Sequence, residues 1–470
     1  MSIPTAYAQT KWRRVRLGFD FAVSGVVIVL ALMLFIYPAV TISILLLDSQ
    51  LHKTGESRLV PMWFNSAAER YLSWANTYLE TNYAESLYHD DIPATEWPIF
   101  GSVFFLVTAE DLQRQGKVDA TRGTVRDAVE KAAEIVASPV TATWVKTKWG
   151  DGYLEKENVF YRMLLIMGLS SYERITGDER YRALMSTQRA TLAEELAKAE
   201  LHLRDDYPNE CYPADMLWAV AAIQRAARLE DTNHDELAAS LIAVFDGPLK
   251  APEGLPAFQA ESRSGRIVQG ARGCANSGLL LFAAELDREV AGQWYRAYEA
   301  NFWKDTGWVV GFSETPHDWH APFMDVDSGP VVFGCGSVAT AFGIGAAKAV
   351  GRYDHAAPLT IETIACSWPT PLGFLIPGLM GRLAVQSWSL GEVAILFSMT
   401  RPTCGMERVP FEGSTPRIVW LLLTSYSGLG LFFIWFEIRC CRRLIRRHKG
   451  SMGKEEDRSM FSAGVDRSYS

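Results

Sequence analysis

The sequence predicts an all-α protein, an (α/α)6 toroid carried between an N-terminal and a C-terminal transmembrane helix. Three observations point there. Two long stretches carry no charge, Phe21 to Leu47 and Ile418 to Phe436. Between them, about twelve segments place apolar residues at helical spacing. Short turns rich in glycine and aspartate join these segments into antiparallel pairs.

The two charge-free stretches are 27 and 19 residues long. Each can cross a hydrocarbon core of about 30 Å at 1.5 Å per residue. Pro38 would kink the first, which a bilayer tolerates. A cleaved signal peptide is the other reading of that stretch, but it is long for one and no small-residue cleavage site follows. Lys11, Arg13, Arg14 and Arg16 precede the first span, and Arg439, Arg442, Arg443, Arg446, Arg447 and Lys449 follow the second. The positive-inside rule then puts both termini in the cytoplasm. The expected order is a cytoplasmic tail 1–20, a span 21–47, an extracytoplasmic domain 48–417, a span 418–436 and a basic cytoplasmic tail 437–470. A third apolar stretch, Pro369 to Met380, is too short and proline-broken to span. It is either a core loop or a patch dipping into the membrane surface.

Residues 48–417 hold 33 basic and 48 acidic side chains, a net charge of −15. Nucleic acid needs a basic surface, so it is excluded as a partner. Membrane lipid and a small-molecule or glycan substrate remain. Of the seven cysteines, Cys440 and Cys441 lie in the basic tail, where lipidation is one reading. The other five are Cys211, Cys274, Cys335, Cys366 and Cys404, an odd number that leaves at least one without an intrachain disulfide. No Cys/His spacing suggests a metal, and no phosphate loop, dinucleotide fingerprint or nucleophile elbow occurs, so no cofactor is expected.

Helices are expected over 64–82, 97–115, 123–137, 158–175, 179–203, 213–229, 234–245, 275–286, 289–302, 329–350, 354–365 and 388–399. Arg174 to Tyr181, Leu229 to His234 and Gly351 to Asp354 read as tight turns between them. Twelve helices in hairpins suggest the closed toroid; an open solenoid would need a repeat period, and none is visible. Two Trp-rich loops interrupt the pattern, Thr141 to Asn158 and Phe302 to Pro330. Such loops carry function more often than core.

Two segments resemble the linalool dehydratase-isomerase family. One runs from Glu157-Asn158-Val159-Phe160-Tyr161 through Ser171-Tyr172-Glu173 to Thr176-Gly177-Asp178. The other is Tyr207-Pro208-Asn209-Glu210-Cys211. The resemblance covers about 60 residues and implies an α/α toroid with a pocket near these segments and a pocket cysteine at Cys211. The family's histidine after Asn-x-x-Tyr is absent from Arg162 to Leu165, and its second cysteine is absent from His202 to Asp206.

Several constellations can carry chemistry. Asp325 and Asp327 are carboxylates two residues apart, one of which the other's charge can keep protonated. Their structural reading is a helix N-terminus with Pro330 in its first turn. Cys211 and Asp215 share a helix face, and a helix N-terminus would lower the thiol's pKa; the alternative is a buried cysteine beside a first-turn acid. Glu157 and Tyr161 stand one turn apart and can serve one pocket, unless Glu157 only caps or pairs with Arg162. Arg272, beside Cys274, can orient a carboxylate or hydroxyl, or merely bridge to a loop. Glu392 opens the last helix, and Trp149 and Trp319 can stack on a substrate or fill core.

The leading expectation is therefore a membrane-anchored extracytoplasmic enzyme using carboxylate general acid/base chemistry on a hydroxyl-rich substrate, most plausibly an envelope glycan. A dehydratase or isomerase acting on an alcohol through Cys211 is the reading the resemblance implies. A non-catalytic tethered module is the third.

Overall fold

A computed structural model describes residues 4–81, 83–86, 92–316, 325–385, 390–405 and 408–465. The chain is mostly helical. The first helix, α1 (Pro4–Ala31), runs through a π-helical turn, Leu32–Ile36, into α2 (Tyr37–Leu46). Then follow α3 (Ser49–Thr54), α4 (Val60–Glu80), α5 (Ile92–Thr95), α6 (Trp97–Arg114), α7 (Gly123–Ala137), α8 (Thr143–Trp149), α9 (Val159–Thr176), α10 (Arg182–Lys198), α11 (Pro213–Ala227) and α12 (Asp235–Asp246). The second half carries α13 (Gly273–Leu286), α14 (Arg288–Phe302), α15 (Ser337–Ala349), α16 (Tyr353–Cys366), α17 (Leu375–Val385), α18 (Leu390–Thr400) and α19 (Arg417–Val465).

These elements group into two compact units. The larger takes Ile44–Ser367 and Leu372–Val419; the smaller takes Met1–Ser43, Trp368–Pro371 and Trp420–Ser470.

In the larger unit, helices that are apolar on all sides alternate with helices that are apolar on one stripe. α6, α9, α11, α13, α15 and α18 bury most of their residues. α4, α7, α10 and α14 bury one face and expose the other, as expected of helices covering a core. The buried helices contact one another in chain order, and α18 also packs on α6. Aromatic rings from five of them meet in the middle. Phe104 stacks on Phe397 at 4.5 Å, Trp218 meets Phe282 edge-on at 4.9 Å, and Phe342 meets Phe104 at 5.7 Å.

The C-terminal ends of these helices are tied by buried charge. Arg225 pairs with Glu110 and Glu285, and Arg401 pairs with Asp111 and Glu285. Arg401 is fully buried and lies 4.4 Å over the Phe282 ring. Such a network holds only while each charge keeps its partners.

The turns foreseen at Gly177 and Gly351 are present. Gly177 ends α9 in the left-handed region, its N–H donating to the Glu173 carbonyl. One helix expectation is corrected. The stretch 329–350 is helical only from Ser337. Before it, β5 (Val331–Val332) pairs with β6 (Cys335–Gly336), after the earlier hairpins β1 (Gln259–Ala260) with β2 (Ile267–Gln269) and β3 (Trp303–Asp305) with β4 (Val310–Phe312). Val331 and Val332 are β-branched, and Gly334 supplies the positive φ of 78° that the turn needs.

Gly18–Leu46 and Arg417–Arg446, which lie mostly in the smaller unit, are helices long and apolar enough to cross a membrane. Only 11% and 17% of their apolar windows are buried, unlike a core helix. Ser24 donates to Glu437 at 2.7 Å, Phe35 stacks on Phe433 at 5.7 Å, and Gly430 leaves room for Ile36. Pro38 lacks the N–H that would serve the Leu34 carbonyl, and the helix widens into its π turn just there. The Trp368 indole N–H donates to that carbonyl at 2.6 Å.

Candidate functional site

The acids concentrate where the buried helices begin. Glu96 immediately precedes α6, Glu157 and Asn158 precede α9, Tyr212 precedes α11, and Arg272 precedes α13. A helix N-terminus favours negative charge, but only within the first turn. Burial and mutual repulsion work against it here.

Glu96, Asp215 and Asp327 are close enough to perturb one another. Burial pushes Asp215 up to about 8, with Asp327 and then Glu96 adding to the rise. Burial likewise lifts Glu96 to about 7, against a bond from the Tyr207 hydroxyl at 2.7 Å. Asp327 reaches solvent at the rim, yet the atoms packed around it desolvate it, and with Asp325 they raise its pKa despite Arg272. Asp206 is fully buried and held well above the usual carboxylate range by burial and by Asp215, while Tyr212 donates its backbone N–H to it at 2.7 Å. Several carboxyls that hold protons near neutrality thus lie within electrostatic reach of one another.

Asp325 is the counterweight. Burial alone would raise it, but bonds from Ser328 and Arg272 outweigh that and hold it below its ordinary value. Its Oδ1 accepts the Ser328 N–H at 2.7 Å and the Asp327 N–H at 3.2 Å. The segment therefore forms an aspartate turn and not a helix N-terminus, which corrects the structural reading of Asp325 to Pro330. Asp325 and Asp327 are pushed apart in opposite directions, the condition for one acid and one base in a single site.

Arg272 anchors this rim. Its Nε donates to Glu314 Oε1 at 2.7 Å, its Nη2 donates to Asp325 Oδ2 at 2.9 Å, and its guanidinium lies 4.4 Å over Phe258. Glu314 also accepts the Cys274 N–H at 3.1 Å and the Cys274 thiol at 3.0 Å. Gly273 makes this contact possible, because a Cβ there would stand 2.0 Å from the Ser313 carbonyl oxygen.

Cys211 takes the second of its two sequence readings, a buried cysteine beside a first-turn acid. Cys211 is fully buried; burial, then Asp206, Asp205, Asp215 and Glu157, push its thiol well above its ordinary range. Desolvation and four carboxylates outweigh the helix N-terminus that would lower it. Burial also raises Cys274, with Glu314 adding to it. All seven cysteines are free.

Glu157 and Tyr161 do not act together. Asn158 takes a left-handed φ of 34° between Glu157 and α9, so the helical turn assumed for the pair does not form at Glu157. Glu157 instead accepts the Asp205 N–H at 2.9 Å, while Tyr161 packs among Tyr153 and Trp144. Of Glu157, Arg162 reaches only the carbonyl, at 3.4 Å, and its other bonds go to the Lys156 carbonyl, Gln188, Thr191 and Glu195. Glu392 pairs with Arg70 at 2.6 Å. Trp149 ends α8, next to Lys148, whose charge reaches Glu96. Trp319, with His317 and His320, lies outside the described residues.

Sequence reasoning passed over Glu96, Asp206 and Glu314. One signal for Glu96 was legible: Glu96-Trp97-Pro98 marks a helix start with proline in the first turn, as Cys211-Tyr212-Pro213 does. Around the acids, Asp206 Oδ1, Trp144 Nε1, Trp149 Nε1 and Asn276 Oδ1 are buried and make no hydrogen bond among the described residues. A cavity of about 530 Å³ lies elsewhere, at the far ends of α6 and α9, lined by Glu110, Arg114, Glu173, Arg174 and Arg182. None of the candidate catalytic or substrate-binding residues lines it, although Glu173 and Gly177 of the family-like segment do.

No protein-family model matches the chain, and no curated protein matches it.

Proposed function

We propose that this chain is a membrane-anchored enzyme whose domain, a closed (α/α)6 toroid, lies on the extracytoplasmic side and performs general acid/base chemistry on a hydroxyl-rich substrate. The contact of α18 with α6 supports the closed ring. The packing of the first span on the second, through Ser24–Glu437 and Phe35–Phe433, supports a retained anchor over a cleaved leader. The basic residues flanking both spans support cytoplasmic termini.

The observation that carries the chemistry is the turn that holds Asp327 beside an arginine-bound Asp325, with Glu96 and Asp215 within electrostatic reach. A carboxyl titrating near 7 or 8 can donate a proton to a leaving oxygen at neutral pH, and its ionised neighbour can accept one from water. The half-buried rings of Phe100 and Phe160 supply an apolar wall beside polar groups, as carbohydrate sites do. The dehydratase reading is weaker at Cys211, because a thiol pushed well above its ordinary range is a poor nucleophile.

The test is turnover of an envelope-glycan panel by the purified full chain in nanodiscs, read by mass spectrometry. A gain of water marks hydrolysis and a loss marks dehydration. Asp327→Asn and Glu96→Gln should each lower the rate at least about 100-fold, the range of a lost proton-transfer group. Folded variants that turn over as fast as the parent chain would overturn the assignment, and so would a panel left unchanged.

A further inference from the structure

The segment after α16 joins the domain to the membrane in a way the two spans do not require. Trp368–Pro371 groups with the spanning helices. The Trp368 indole sits on the Leu34 carbonyl, with ring centroids 5.9 Å from Phe35 and 5.2 Å from Tyr426. Trp368 holds a positive φ of 53°, unfavourable for a bulky residue, so the surrounding contacts over-determine its place. Tyr426 is nine residues past Arg417, about 14 Å along a helix at 1.5 Å per residue. Trp368 therefore packs beside the apolar stretches of both helices that are long enough to span.

The chain runs from this segment directly into α17. From Trp368 to Gly381 there is no charged residue, in a protein that is 21% charged. One side of α17 is docked: Phe374, just before it, is buried edge-on against Trp63 at 5.4 Å, and α17 packs on α18 and α5. The other side carries Ile376, Leu379 and Met380, which are 39%, 45% and 49% exposed. Spacings of three and four place them on one face.

We propose that α17 is an interfacial helix whose Ile376–Leu379–Met380 face is immersed in the lipid leaflet on the domain's side. The occupant is lipid, because the face continues, without a charge, from a segment already packed among spanning helices. Short helices with one apolar face lie in this way at the boundary of headgroups and acyl chains. The lipid contact stands independently of the enzymatic reading.

The test uses the full chain in lipid nanodiscs, with Cys366, Cys404, Cys440 and Cys441 replaced by serine and a fluorophore on Leu379→Cys. Ile376→Cys serves as a second site and Glu194→Cys, exposed on α10, as control. Doxyl-labelled lipid should quench the fluorophore at 379 and 376 at least about twofold, and leave the control unchanged, if the face is in the leaflet. Quenching by aqueous iodide at the control's level would overturn the proposal. So would protection from both quenchers, which would mean that protein, such as a second copy, covers the face. An unchanged thermal midpoint confirms that each labelled chain is folded.

Discussion

Replacing Asp215 with asparagine should make the protein more stable at pH 8 and flatten its dependence on pH. The sign follows from linkage. A carboxyl whose folded pKa is raised is fully compatible with the fold below its unfolded value near 4. As pH rises, the unfolded chain loses its proton first, so folding weakens until the folded form also ionises, at about 8 for Asp215. The gap between 3.8 and about 8, at 1.36 kcal/mol per pH unit, sets an upper bound of about 6 kcal/mol. Asp215 shares its titration with Asp327 and Glu96 and keeps some solvent contact, so about 2–3 kcal/mol is the working figure. At about 2.1 cal/mol/K per residue over about 370 residues, that is a gain of about 3–4 °C. Scanning fluorimetry of the full chain at pH 5 and pH 8 measures it. A variant that loses as much midpoint as the parent between those pH values would refute the coupling.

Other outcomes follow from the same contacts. Arg401→Ala should lower stability by about 3–5 kcal/mol, since it removes the buried partner of Asp111 and one of the two arginines on Glu285; denaturation with urea checks it, and a loss under about 1 kcal/mol would contradict it. Gly273→Ala should displace the Ser313–Glu314 backbone and break the Cys274–Glu314 contact, visible as faster exchange of the Cys274 amide; unchanged exchange would count against that packing. Iodoacetamide at pH 8 should leave Cys211 and Cys274 unmodified in the folded protein, and rapid mass gain at either would contradict their burial.

The helices were legible because burial wrote itself into the residue pattern. The Gly177 turn and the Pro213 helix start fall where capping chemistry put them, and the bounds of α6, α7 and α11 differ from expectation by two residues or fewer. The Val331–Gly336 hairpin was not legible, because its apolar valines continue smoothly into the apolar face of α15. The site was partly legible. Asp325, Asp327, Asp215 and Arg272 come together, but Glu314 stands 42 residues from Arg272 and only the fold makes it a partner. The sequence left Cys211 open between an activated and a buried thiol, because proximity to a helix N-terminus is visible in sequence, whereas burial among four carboxylates is not.

The proposed chemistry requires Glu96, Asp215 and Asp327 to retain protons near neutral pH under one another's influence. Infrared difference titration of the full chain tests this most directly. A protonated-carboxyl band should persist at pH 7 and shrink in both Asp215→Asn and Glu96→Gln. A band that is absent at pH 7, or that neither substitution alters, would contradict the account.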